Sequence, residues 1–369
     1  MKLVSALLLL ISIFLASSCK DENNTPDPKL STDLTGIPYK PVNYDLVVYD
    51  SFPEIIIPAD NPLTKKGVEL GRMLFYDTRL SSDNTMSCAS CHLTTGSFTD
   101  NMATSTGVTL EAGNRSSMSI LDIAFNNQGF FWDGRAATLE EQALEPVTNP
   151  IELHESWENV IAKLVADEDY PTLFREAFGI SNSDEITKEL AAKALAQFER
   201  TVISPGNTKF DKVMRGEEEF TDIELDGFLM WIDYPFDLLP DAECGHCHSF
   251  HLFTTNEYHN NGLDEAPNMT EFSDLGLGGV TGKLTDNGKF RVTSLRNIEL
   301  TAPYMHDGRF STLEEVVDNY SSGGKYSPNK SELVYDLKLT DYQKEALVEF
   351  MKTLTDVELT EDPKFSDPF

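Results

Sequence analysis

Two short strings, CASCH at 88–92 and CGHCH at 244–248, constrain this chain more than anything else in it. Each reads Cys-x-x-Cys-His, the attachment signature of a c-type haem. Two thiols three residues apart can bond both vinyl groups of one porphyrin. The histidine that follows then faces the iron as proximal ligand. The strings predict two covalent haems, held through Cys88, Cys91, Cys244 and Cys247, with His92 and His248 on the irons. Four of the five cysteines are used in this way. A zinc site of paired Cys-x-x-Cys motifs spaces its halves by ~15–20 residues, and these motifs stand much farther apart. A pair of thioredoxin-like motifs would not need a histidine after both.

The fifth cysteine, Cys19, closes a different pattern. Lys2 precedes an apolar run from Leu3 to Leu15, and Ala16, Ser17 and Ser18 stand before Cys19. A basic start, a short apolar stretch and small residues before a cut site form a secretory signal. Small residues directly before a cysteine match a bacterial lipoprotein cleavage site. Residues 1–18 are therefore read as a lipoprotein signal peptide, with Cys19 as the lipid-bearing residue. The run is too short for a membrane span of ~20 residues, and no later stretch offers one. Residues 19–45 are read as a flexible tether, rich at first in Pro, Asn and Asp. An exported chain, on the periplasmic side or attached to the outer membrane, suits covalent haem. The net charge of −32 argues against nucleic acid or an anionic membrane surface as partner, and could steer a basic redox protein.

Self-comparison predicts the architecture. FWDGRAATLEE at 131–141 echoes YMHDGRFSTLEE at 304–315, and SILDIAF at 119–125 echoes SLRNIEL at 294–300. GVELGRMLFYD at 67–77 echoes DIELDGFLMWID at 222–233, and ALAQFERT at 194–201 echoes ALVEFMKT at 346–353. The order is the same in both halves. A helix is expected over 186–204, with Ile186, Leu190, Ala194 and Phe198 on one stripe. Another is expected over 340–354, with Tyr342, Ala346, Phe350 and Leu354 on its stripe and Thr340 as N-cap. Few segments alternate as strands do. The expected fold is mainly α: two tandem cytochrome c-like haem domains related by internal duplication, over 46–210 and 211–369.

These motifs resemble the bacterial di-haem cytochrome c peroxidase and MauG family. The match runs from about residue 50 to about 355, through both haem motifs, FWDGRA and SLRNIELTAPYMHDG at 294–308. The resemblance implies a peroxidatic haem in the N-terminal half and an electron-transfer haem in the C-terminal half. It implies a Gln and a Glu ten and twenty positions after Trp132, here Gln142 and Glu152. Glu152 would be the acid/base that assists O–O cleavage, and Gln142 would orient peroxide. Trp132 would lie between the haems as an electron relay. Arg135 and Arg309 would bind haem propionates or carbonyls.

One departure stands out. Many peroxidases of the family carry a distal histidine about sixteen residues after the first proximal one. Val108 stands near that position, and no histidine lies between His92 and His154. Met102 and Met118 are the soft side chains of that loop. A five-coordinate or water-bound first haem is expected, able to meet peroxide without prior reduction. The distal ligand of the second haem falls on Tyr320, as in MauG, with Met305 as the alternative. A calcium ion between the halves would use Thr301, Pro303 and Ser116, with Asn114 nearby. The partners implied are hydrogen peroxide and a small donor, a cytochrome c or a copper protein. Oxidation of a residue or cofactor on a partner protein is the alternative, and a non-enzymatic electron carrier is a third. Relatives are often dimers, so a homodimer is included.

Overall fold

The structure, a computed structural model, describes residues 32–233 and 239–369. The signal segment and Cys19 lie outside the described residues. The helices are α1 (Lys65–Tyr76), α2 (Leu139–Thr148), α3 (Trp157–Ala166), α4 (Tyr170–Phe178), α5 (Lys188–Glu199), α6 (Lys209–Met214), α7 (Asp222–Trp231), α8 (Cys244–Cys247), α9 (Leu277–Thr281), α10 (Leu313–Ser321) and α11 (Asp341–Lys352). One two-residue ribbon pairs β1 (Tyr258–His259) antiparallel with β2 (Phe290–Arg291). No helix among the described residues is long and apolar enough to cross a membrane.

Two helix pairs organise the molecule. In the first, α1 crosses α5 and buries Leu70, Leu74 and Phe75 against Ala194, Leu195 and Phe198. In the second, α7 crosses α11 and buries Met230 and Trp231 against Leu347, Phe350 and Met351. Each crossing depends on one glycine. A Cβ on Gly71 would lie 1.9 Å from the Ala194 carbonyl oxygen and 2.9 Å from the Phe198 Cβ. A Cβ on Gly227 would lie 2.0 Å from the Ala346 carbonyl oxygen and 2.9 Å from the Phe350 Cβ. Both helices of a pair therefore touch backbone to side chain with no room for a methyl group.

The helix ends follow local chemistry. Thr340 caps α11 as expected, in a capping box with Gln343. The stretch expected as helix over 186–204 is shorter at both ends. Thr187 takes the N-cap of α5, so Ile186 packs from the preceding turn, and the chain leaves the helix at Arg200. Tyr342 turns outward instead of joining the stripe, and its hydroxyl donates to Asp226 at 2.7 Å.

Two expectations about the ends of the chain are corrected. Residues 32–45 are not free tether. Leu34 is buried, its N–H donates to Ser181, Tyr44 N–H donates to Leu63, and Arg175 holds the Ile37 carbonyl at 2.9 Å. The C-terminal tail does not stay with the second core. Leu359 and Phe365 enter the first one, and Arg72 donates to the Ser366 and Pro363 carbonyls. Apolar residues at 359 and 365 have no other cover, so the tail ties the last residues to α1.

Between the pairs lies a buried ionic junction. Arg296 donates twice to Asp211, at 2.8 and 2.9 Å, with both side chains 1% exposed. Its Nε donates to the His251 carbonyl at 2.9 Å, which fixes the loop after the second haem motif. Asp122 accepts from both Ser204 groups nearby, and burial holds its carboxyl above the usual range.

Candidate haem sites and the junction between them

Each Cys-x-x-Cys segment is wound into a short turn that places its thiols on one side. Ser87 and Ser90 cap the first turn reciprocally. The second forms α8. None of these four cysteines is paired in a disulfide. Burial pushes the Cys91 thiol up to about 11 and the Cys244 thiol up to about 12.

The two histidines are held identically. His92 Nδ1 lies 3.0 Å from the Phe98 carbonyl, and His248 Nδ1 lies 3.0 Å from the Phe253 carbonyl. A carbonyl can only accept, so Nδ1 carries the proton and Nε2 keeps its lone pair for a metal. Phe98 and Phe253 both adopt positive φ, 64° and 53°, which turns each carbonyl back to its ring. Burial holds both imidazoles below their usual range, His248 at about 4. Each is therefore neutral at pH 7, as a metal ligand must be.

Glu152 stands by the first motif, close enough for its charge to act on Cys88 and Cys91. Burial raises its pKa, while an Asn149 amide donating at 2.7 Å and the nearby Arg135 oppose the rise. Gln142 lies on α2, half-buried. The loop that carries Val108 closes over this corner: Val108 N–H donates to the Glu152 carbonyl at 3.0 Å. Gly107 makes that approach possible, since a Cβ there would sit 2.2 Å from the Ile151 oxygen. Met102 points to solvent, 57% exposed, and His154 is also exposed. Met118 faces the second site instead.

A cavity of about 260 Å³ opens beside the second motif. Cys244, Cys247, His248, Met305 and Tyr320 line it, with Trp132, Arg291 and His306 at the side of the first half. Both distal candidates thus share one cavity with His248. Asn261 bridges them, its amide 3.1 Å from the Tyr320 hydroxyl and 3.5 Å from the Met305 sulfur. Burial pushes the Tyr320 phenol up to about 12. Trp132 is half-buried, its indole N–H donating to the Ser116 carbonyl at 3.0 Å and its ring edge-on to buried His306 at 6.4 Å.

Ser116 does meet the 300–306 segment. Its N–H donates to the His306 carbonyl at 2.8 Å and its hydroxyl to the Met305 carbonyl at 3.0 Å. Thr301 and Pro303 line the cavity close by, and Asn114 is exposed. Arg135 and Arg309 are engaged by the protein itself. Arg135 pairs with Asp133 and Glu145, and Arg309 pairs with Asp307 and Asp264 and donates to the Leu263 carbonyl.

Sequence reasoning missed Arg291. It is 6% exposed, lines the cavity, and its Nε has no partner. Its N–H donates to the Trp132 carbonyl, and its nearest side-chain partners are the Asn256 oxygen and the Met118 sulfur. Burial lowers its pKa to about 10. A buried cation without a carboxylate is costly, and a porphyrin propionate would supply the missing anion. Only the folded chain reveals this, because nothing local marks which arginine will be enclosed. Thiols, neutral imidazoles and an unpaired guanidinium together fit haem c.

The family model described as di-haem cytochrome c peroxidase matches residues 65–219. A cytochrome c551 peroxidase from Nitrosomonas europaea is 36% identical over 303 residues, 81% of this chain and 83% of that protein. The methylamine utilization protein MauG of Methylorubrum extorquens is 34% identical over 300 residues, 80% of each chain. The chain belongs to the di-haem cytochrome c peroxidase family. A solved MauG-like protein associated with microbial copper homeostasis superposes with a TM-score of 0.80 at 36% identity, over 88% of this chain and 99% of that one. Membership of the family implies two haem c groups, and the chain carries two Cys-x-x-Cys-His motifs, at 88–92 and 244–248.

Proposed function

We propose that the chain reduces hydrogen peroxide to water, two electrons and two protons per peroxide. The haem pair, when bound, would supply irons that change oxidation state. Glu152 takes the proton from the oxygen nearer the metal and returns it to the departing one. Gln142 orients the peroxide. The single observation that carries this reading is the half-buried Glu152 carboxyl beside the Cys88–Cys91 turn. Its raised pKa suits a group that must both accept and release a proton. Electrons from a small cytochrome c or copper protein enter by the second haem and pass Trp132, which faces both halves.

When haem is bound, His248 and Tyr320 would hold the second iron. This tyrosine, sharing a cavity with His248, favours a second reading: MauG-like oxidation of a residue or cofactor on a partner protein. A calcium ion would sit at the same junction, on the Thr301 and Pro303 carbonyls and on Ser116 once its hydroxyl turns from Met305. The chain is exported and lipid-anchored at Cys19. The halves are tandem cytochrome c-like domains from one duplication; the matched glycine contacts and histidine clamps support this.

Electron paramagnetic resonance on the oxidised protein tests the reading. One high-spin and one low-spin ferric signal, both lost with one equivalent of peroxide, are expected. Two low-spin signals indifferent to peroxide would leave a plain electron carrier.

A further inference from the structure

Resting on the reading that Tyr320 ligates the second iron, we propose that Asn261 decides which atom does so, the Tyr320 oxygen or the Met305 sulfur. Both side chains enter the cavity that His248 lines, and both end at the Asn261 amide, at 3.1 and 3.5 Å. Two potential ligands of opposite character are thus held side by side. Asn261 is a positioning residue between them.

The amide cannot turn away. Its oxygen accepts the Leu263 N–H at 3.2 Å, so the NH₂ group is the end aimed at the ligands. The backbone around it is fixed to the segment that follows α10. Lys325 N–H donates to the Gly262 carbonyl at 2.6 Å, and the Asn260 amide donates to Ser327 at 2.9 Å. Asn261 and Tyr320 therefore keep their spacing. Met305 comes from a different segment, at a positive φ of 75°, a conformation unfavourable for an unbranched side chain without tertiary support.

The chemistry gives the direction of the bias. An N–H donates well to oxygen and weakly to a thioether. Donation to a phenolate bound to iron is charge-assisted and stronger than donation to a neutral phenol. Asn261 gains more when oxygen is on the metal than when sulfur is. The difference between a charged and a neutral acceptor corresponds to about a tenfold preference. An apolar residue of the same size would remove it.

The test is Asn261→Leu in the haem-loaded full chain, beside Tyr320→Phe, Met305→Leu and the Asn261→Leu/Met305→Leu pair. The readouts are the near-infrared thioether-to-iron charge-transfer band, the low-spin resonance signal and the midpoint potential of the second haem. The wild type is expected to give an oxygen-ligated spectrum, and Tyr320→Phe the sulfur band. Asn261→Leu should raise the sulfur-ligated share about tenfold and move the one-electron midpoint upward by about 59 mV. The band should vanish in the pair. If Asn261→Leu does not load haem, Asn261→Ala is read in the same way. A wild-type spectrum and midpoint in Asn261→Leu, with Tyr320→Phe changed, would overturn the proposal alone. If Tyr320→Phe also keeps the wild-type spectrum, the ligand reading falls and takes the proposal with it.

Discussion

Replacing Asp211 by Asn tests whether the junction between the helix pairs is as dry as its geometry implies. The substitution keeps the shape of the side chain and removes its charge. Arg296 then remains with 1% of its side chain exposed and no full counter-ion. Breaking one side of a buried pair costs about 3–5 kcal/mol, against a typical total stability of about 5–15 kcal/mol. Other groups around Arg296 set the pH dependence. Its Nε bond to His251 and the Phe52 ring 4.5 Å away are unaffected by the change. Asp122 is within electrostatic reach; burial raises its pKa, Arg296 lowers it and Asp211 raises it further. Without the Asp211 charge, Asp122 ionises more easily and takes over part of the pairing. Denaturant unfolding should therefore show a loss that shrinks as pH rises and Asp122 ionises. The paired variant Asp211→Leu/Arg296→Met should recover most of the stability, since no charge is stranded. A loss under about 0.5 kcal/mol at pH 5 would mean that water reaches the pair, and the reasoning would fail.

Glu152→Gln should lower kcat for peroxide by about 10²–10⁴-fold with two haems still bound, as counted by absorbance. In the wild type, kcat/KM should fall as pH drops through the Glu152 pKa, which burial lifts above the ordinary range, and that limb should vanish in the variant. Glu199 offers a stability test. It is buried, one of its oxygens has no partner, and burial raises its pKa from 4.5 to about 8. The folded state keeps a proton that the unfolded chain releases, so stability is fully present below pH 4.5 and declines as pH rises toward 8. Glu199→Gln should flatten that decline in denaturant titrations across pH 5–8. Gly71→Ala and Gly227→Ala should each cost about 1–3 kcal/mol or more, since each added methyl meets a carbonyl; thermal melts that match the wild type would contradict the close crossings.

The candidate haem motifs were legible because their chemistry is local: two thiols and an imidazole must be adjacent in sequence. Glu152 came into view only through an offset from Trp132 that the family resemblance implies. The pairing of helices was legible from echoed segments, although Ile186 and Tyr342 fell off their stripes. Periodicity alone cannot tell where Thr187 will cap α5, nor that an aspartate will draw Tyr342 outward. Arg291, Asn261 and the tail residues Leu359 and Phe365 were invisible. Each matters through neighbours distant in sequence, and none carries a short-range pattern.

The echoed halves make their differences informative. Glycine contacts and Thr N-caps of the third echoed helix, α2 against α10, recur at matching positions, and the histidine clamps recur with the accepting carbonyl six residues on in one half and five in the other. Two of the aligned positions at which the halves differ concern buried acids. Asp122 faces Asn297, and Glu199 faces Met351, which lines the cavity of the second site. Both first-half residues are buried acids with raised pKa values; their partners cannot carry a proton at all. Peroxide reduction consumes two protons per turnover, whereas passing electrons consumes none. Buried acids also occur in the second half, at Asp211 and Asp356, so the contrast bears on these two aligned positions and on proton supply there, not on the whole of either half.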